Sequence, residues 1–118
     1  MNNLGRHILA DIYTVEQLED MHLIQICCKA IEASNMNVVS CSFKQFHPQG
    51  ATAVWILEES HFTLHTYPEH KYLSVDCYTC GEEGRPDLAI QHLISSINVA
   101  KKTTRLIERG LVDFVSSV

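Results

Sequence analysis

The sequence lacks any long apolar run. Its longest, Ala53-Val54-Trp55-Ile56-Leu57, falls far short of the roughly 20 residues a membrane-spanning helix needs. It also lacks a basic excess: 9 Lys plus Arg stand against 14 Asp plus Glu, a net charge of −5. Phosphate-backbone recognition needs a cationic surface, so nucleic acid is not expected as a partner, and neither is an anionic membrane. Arg6 is followed by no stretch apolar enough for a signal peptide, and Asp11 interrupts early, so a cytoplasmic location is predicted. Low-complexity tracts, linkers and repeats are missing, so residues 1–118 are read as one domain. The five cysteines are an odd number, and Cys77-x-x-Cys80 has no second pair to complete a zinc site. Thiols and no metal are expected.

What is present is patterned. Leu4 to Thr14 reads as a strand, and Thr14-Val15-Glu16-Gln17 matches a capping box for a helix over about Val15 to Ser34. Leu23, Ile26, Cys27, Ala30 and Ile31 form its apolar stripe. Strands follow at Val38 to His47, Thr52 to Glu58, His61 to Tyr67 and Tyr72 to Cys80, with turns at Pro48-Gln49-Gly50 and Pro68 to Lys71. Pro86 opens a second helix carrying Ala89, Leu93, Ile94 and Ile97. Lys102 to Glu108 is the last strand, broken by Gly110. The order β-α-β-β-β-β-α-β implies an α+β two-layer sandwich: a mainly antiparallel sheet with both helices on one face.

Side chains alternate along strands. Phe62 and Leu64 therefore share a face with Leu73, Val75 and Cys77 beneath the helices. His61, Thr63 and His65 point the other way, as do Ser74, Asp76, Tyr78 and Cys80. This parity places His65 and Cys80 together on the uncovered face. Cys27, Cys28 and Cys41 are read as small apolar fillers, and Cys77 as structural. Two histidines four strand rises apart, roughly 13 Å, cannot clamp one ion alone. Taken singly, Ser60 reads as a turn residue, His65 as a satisfied sheet histidine, and His70 as solvated.

Taken together they read differently. Glu58-Glu59-Ser60-His61, then His65-Thr66-Tyr67-Pro68-Glu69, then Asp76-x-x-Thr79-Cys80-Gly81 resembles the small prokaryotic S-adenosylmethionine decarboxylases, which are pyruvoyl-dependent enzymes of spermidine and polyamine synthesis. Leu4-Gly5-Arg6-His7, Phe43 to Pro48, Thr52 to Leu57 and Gly81 through Leu93 extend the resemblance over about residues 4 to 109. It implies autocatalytic cleavage of a zymogen, with Ser60 attacking the Glu59 carbonyl. The products are a β chain, 1–59, and an α chain, 60–118, whose former serine becomes a covalent pyruvoyl group. It implies His65 as proton acceptor in processing and a hydroxyl at Thr52 that assists, where the family usually has serine. It implies a Schiff base from the pyruvoyl ketone to the substrate amine, and Cys80 as the proton donor in decarboxylation. Glu69 corresponds to the residue that holds the ribose hydroxyls, Phe46 to an aromatic position near adenine, and Tyr67 stands where tryptophan is common. A homodimer of αβ protomers is implied, packed sheet to sheet with its active sites at the interface. The alternatives are the same machinery acting on ornithine or arginine, and an unprocessed regulatory homologue.

Overall fold

A computed structural model describes residues 3–58, 60–80 and 85–111. Six strands and two helices are arranged as the alternation requires. Strands β1 (Asn3–Thr14), β2 (Val38–Gln45), β3 (Ala51–Leu57), β4 (Ser60–Tyr67), β5 (Tyr72–Thr79) and β6 (Val99–Leu111) form one sheet, ordered β2-β3-β4-β5-β1-β6. Every neighbouring pair is antiparallel. Helices α1 (Asp20–Ala33) and α2 (Pro86–Ser95) pack on each other and on one sheet face. The two-layer α+β expectation therefore holds.

The core lies between the helices and the central strands. Ala53, Trp55 and Leu57 of β3, Phe62 and Leu64 of β4, and Leu73, Val75 and Cys77 of β5 are buried against Leu23, Ile24, Cys27, Ala30 and Ile31 of α1 and Ala89, Ile90 and Leu93 of α2. Trp55 and Phe62 are register partners, and their rings meet edge to face at 5.6 Å. Such pairs stabilise beyond the area they bury.

Two boundaries and one cysteine differ from expectation. Helix α1 starts at Asp20, not at Val15, and Thr14 does not cap it. Thr14 instead closes β1: its N–H donates to Lys71 O at 2.8 Å and its hydroxyl to Glu16 O at 2.6 Å. Gln17, the other half of the expected capping box, reaches the β2–β3 turn, where its Nε2 donates to Gln49 Oε1. Residues 15–19 have thus been captured by tertiary contacts. The last strand is also longer than expected and passes through Gly110, which sits at φ +67°. The ladder with β1 continues to Asn3 and Leu111 and holds the glycine within it. Finally, Cys41 is exposed on the edge strand β2, so it is no core filler, whereas half-buried Cys28 packs against the core.

The other sheet face carries no helix among the described residues. It presents His7, His61, Thr63, His65, Thr52, Ser74, Asp76 and Tyr78, all half-buried.

Candidate functional site: two groups at opposite ends of one sheet

Ser60 is the first residue of β4, and its hydroxyl donates to Glu58 O at 3.0 Å. Glu59, half of the expected scissile bond, lies outside the described residues. Ser60 pairs with Thr79, the last residue of β5, and exposed Cys80 follows immediately. Ser60 and Cys80 thus share one end of the sheet.

Between that end and the sheet centre sits a polar cluster. Asp76 accepts hydrogen bonds from His7 Nε2 at 2.7 Å, from His61 Nε2 at 3.3 Å and from the Thr63 hydroxyl. Burial, the largest influence, pushes the Asp76 pKa up, yet the donors Thr63, His7 and His61 together outweigh it and hold the carboxyl below its usual range. Tyr78 stacks on His61 at 5.8 Å and meets His7 edge-on at 5.4 Å. Gly5 makes room for that phenol, since a Cβ there would lie 2.2 Å from the Tyr78 oxygen. His7, His61 and Asp76 bring three potential metal donors within 4.8 Å of one another. However, Arg109 Nη1 lies 3.2 Å from His7 Nδ1. A guanidinium only donates, so it places the remaining His7 proton on Nε2, where a metal would need a lone pair.

The second group sits at the opposite end. His65 Nδ1 lies 3.0 Å from the Thr52 hydroxyl, its cross-strand partner. Thr52 and His65 line a cleft of about 180 Å³ with Phe46, Gln49, Tyr67 and Glu69. Every expected substrate-side residue is therefore brought together. The turn carrying Phe46 and Gln49 is closed by Phe46 N donating to Gly50 O at 2.7 Å, with Gly50 at φ +98°, where a side chain is strained. Asp20 anchors that turn, accepting from Gly50 N at 3.0 Å, Gln45 Nε2 at 2.7 Å and the Thr66 hydroxyl at 2.5 Å. The Tyr67 ring stacks on Tyr72 at 5.4 Å.

The two groups do not meet within one chain. His65 pairs with Ser74, whereas Ser60 pairs with Thr79. Five residues of extended strand separate His65 from Ser60, roughly 17 Å. Cys80 lies one residue further still. Parity placed His65 and Cys80 on the same face, but the register puts them at opposite ends of it.

Sequence reasoning missed several contributors. Gln49 Nε2 donates to Glu69 Oε2 at 2.8 Å and so orients that carboxylate. It appeared only as a turn residue, and its side-chain role depends on a contact twenty residues away. His7, Asp76 and Thr63 belong to a cluster that only the β1–β5–β4 register assembles. Cys77 is buried as expected, and burial pushes its thiol up to about 12.

An antiparallel six-stranded sheet with two helices on one face, and Ser60 at the first position of a central strand, define a class of two-layer α+β protein that comparison can place. The family model for S-adenosylmethionine decarboxylase matches residues 6–110. The S-adenosylmethionine decarboxylase proenzyme of Sulfurihydrogenibium sp. (strain YO3AOP1) is 38% identical, covering 92% of this chain and 84% of that protein. That of Brevibacillus brevis is 40% identical, covering 93% and 85%. The crystal structure of the adenosylmethionine decarboxylase from Aquifex aeolicus superposes with a TM-score of 0.85 at 33% identity, over 94% of each chain. The chain belongs to the S-adenosylmethionine decarboxylase family.

Proposed function

We propose that this chain is the proenzyme of a pyruvoyl-dependent S-adenosylmethionine decarboxylase, a carboxy-lyase that cuts itself between Glu59 and Ser60 and supplies the aminopropyl donor for polyamine synthesis. What carries the reading is one placement: a family member holds Ser60 at the first position of β4, with its hydroxyl on Glu58 O, and across from Thr79.

The residues fit a pyruvoyl group at position 60. The serine lies at a strand end, where its own backbone can be cut while the flanking ladders stay paired. A buried hydroxyl oxygen, Thr79 Oγ1, faces this point without a partner among the described residues. In processing, Ser60 Oγ attacks the Glu59 carbonyl carbon and the carbon–nitrogen bond breaks, leaving an ester and a free amine. His65 then takes the α-proton as the ester is eliminated and Glu59 leaves as a carboxylate. Hydrolysis of the resulting dehydroalanine releases ammonia. When formed, the ketone supplies an electron sink for loss of carbon dioxide. Cys80 holds the proton for the product carbon, and Glu69 accepts the two ribose hydroxyls.

Packing on the open face explains how groups roughly 17 Å apart can act on one substrate at the end of β4: His65 and Cys80 lie on that face, and Ser60 lies at its edge with its side chain on the helix side. Two copies packed sheet to sheet about a two-fold axis set the Ser60–Cys80 end of one against the Thr52–His65–Glu69 end of the other. The working unit is then a homodimer of αβ protomers with two shared sites.

The test is intact mass followed by carbon dioxide release. Two fragments meeting at Glu59/Ser60, with a carbonyl-bearing α chain that turns over S-adenosylmethionine, are expected. One uncut chain, or release of carbon dioxide from ornithine or arginine alone, refutes the proposal.

A further inference from the structure

Thr79 is the last residue of β5, only 2% exposed, and its Oγ1 is buried with no hydrogen-bond partner among the described residues. Orphaned hydroxyls of this kind are few in native proteins, because burial removes water and nothing replaces it. Most other buried hydroxyls here are satisfied: Ser34 donates to Ala30 O, Thr66 to Asp20, and Thr14 to Glu16 O. Thr79 is the exception beside the one bond the chain is proposed to break. It is the register partner of Ser60, and directly opposed residues in an antiparallel pair share a face with Cβ atoms about 5 Å apart.

We propose that the Thr79 hydroxyl is a catalytic donor for self-cleavage, hydrogen-bonding the oxygen of the Glu59 carbonyl as it becomes an oxyanion. The inference rests on the self-processing reading above and adds a residue to it. The balance is simple. The Ser60 Oγ–carbon bond forms, the carbon–nitrogen bond breaks, and the serine proton ends on the liberated amine. Thr79 keeps its own proton throughout and lends only a hydrogen bond. An oxyanion donor is placed for the transition state and not for the resting carbonyl, so a hydroxyl left unpaired in the uncut chain is what such a role requires.

The test uses full-length chains made in a cell-free system, with cleavage followed in time. Thr79→Val keeps the shape and removes the donor; Thr79→Ser keeps the donor. Valine is expected to slow cleavage by about 10²- to 10³-fold, the usual loss for one oxyanion donor, while serine cleaves near the wild-type rate. Urea unfolding of the same substitutions in an uncut Ser60→Ala background separates catalysis from packing. Replacing an unsatisfied hydroxyl by a methyl leaves the midpoint equal or higher. Cleavage of Thr79→Val within about threefold of wild type overturns the inference, and so does slow cleavage accompanied by a lowered midpoint. If the wild-type chain itself stays uncut, the self-processing reading falls instead.

Discussion

A site shared between two copies predicts complementation between two dead chains. Ser60→Ala removes the nucleophile but leaves His65 intact; His65→Ala does the reverse. Each variant alone forms dimers in which no site has both groups, so neither yields a ketone-bearing α chain. Co-expressed at equal levels, a His65→Ala chain meets either partner with equal chance, so about half of these chains pair with a Ser60→Ala chain. There its serine faces the partner copy's intact histidine, and about half of all His65→Ala chains should be converted. The other outcome follows from the same arithmetic. If His65 served the serine of its own chain, every serine-bearing chain in the mixture would lack its histidine, and conversion would stay at the background of His65→Ala alone. The roughly 17 Å of strand between Ser60 and His65 is the reason the first outcome is expected. The assay is denaturing mass spectrometry with a carbonyl-trapping reagent. Background-level conversion in dimers shown to be mixed would refute the two-copy site.

Other consequences are more local. Gln49→Leu frees the Glu69 carboxylate to wander, and should raise KM about three- to tenfold at nearly unchanged kcat and cleavage, as expected for one charge-assisted hydrogen bond lost; an unchanged KM would show that Gln49 does not orient Glu69. Asp20→Ala removes the acceptor of Gly50 N, Gln45 and Thr66 at once, and urea unfolding should report a loss of about 2–4 kcal/mol. Asp76 is held below its ordinary pKa, so the stability it contributes is present above the unfolded value of about 4 and lost as pH falls through the lower folded value. The advantage of wild type over Asp76→Asn in urea should therefore be full at neutral pH and shrink in acid, and an advantage independent of pH would remove the ionised carboxylate from the cluster.

The layer architecture could be read from residues because it depends on local alternation. Phe62, Leu64, Val75 and Cys77 fall on the helix face as period two demands. The motif residues around Ser60, His65 and Glu69 were equally legible, since their order and spacing are in the chain itself. Parity, however, gives a face and not a position along it, and only pairing such as Ser60 with Thr79 and His65 with Ser74 separates the two groups. The start of α1 was misplaced because Thr14 and Gln17 bond to Lys71, Glu16 and Gln49, and two of those contacts are distant in sequence. Gly110 misled in a similar way: a residue that weakens a lone strand is carried by the ladder to β1. Gln49 and Asp76 each do their work through partners that no local pattern announces.

The sheet order has a consequence for the life of the molecule after the proposed cut. Strands β2, β3 and β1 lie before Glu59 and strands β4, β5 and β6 after it, yet β1 is gripped on both sides by β5 and β6 while β4 is held against β3. The fragments are interleaved like two hands with fingers laced, so neither can slip away without tearing several ladders. A precursor that unfolds can find its way back alone; a matured molecule that unfolds must recapture a separate chain from solution. Renaturation of the uncut form should be indifferent to dilution at the level of the single fold, whereas the matured form becomes a second-order problem, and activation doubles as a commitment that the protein makes only once.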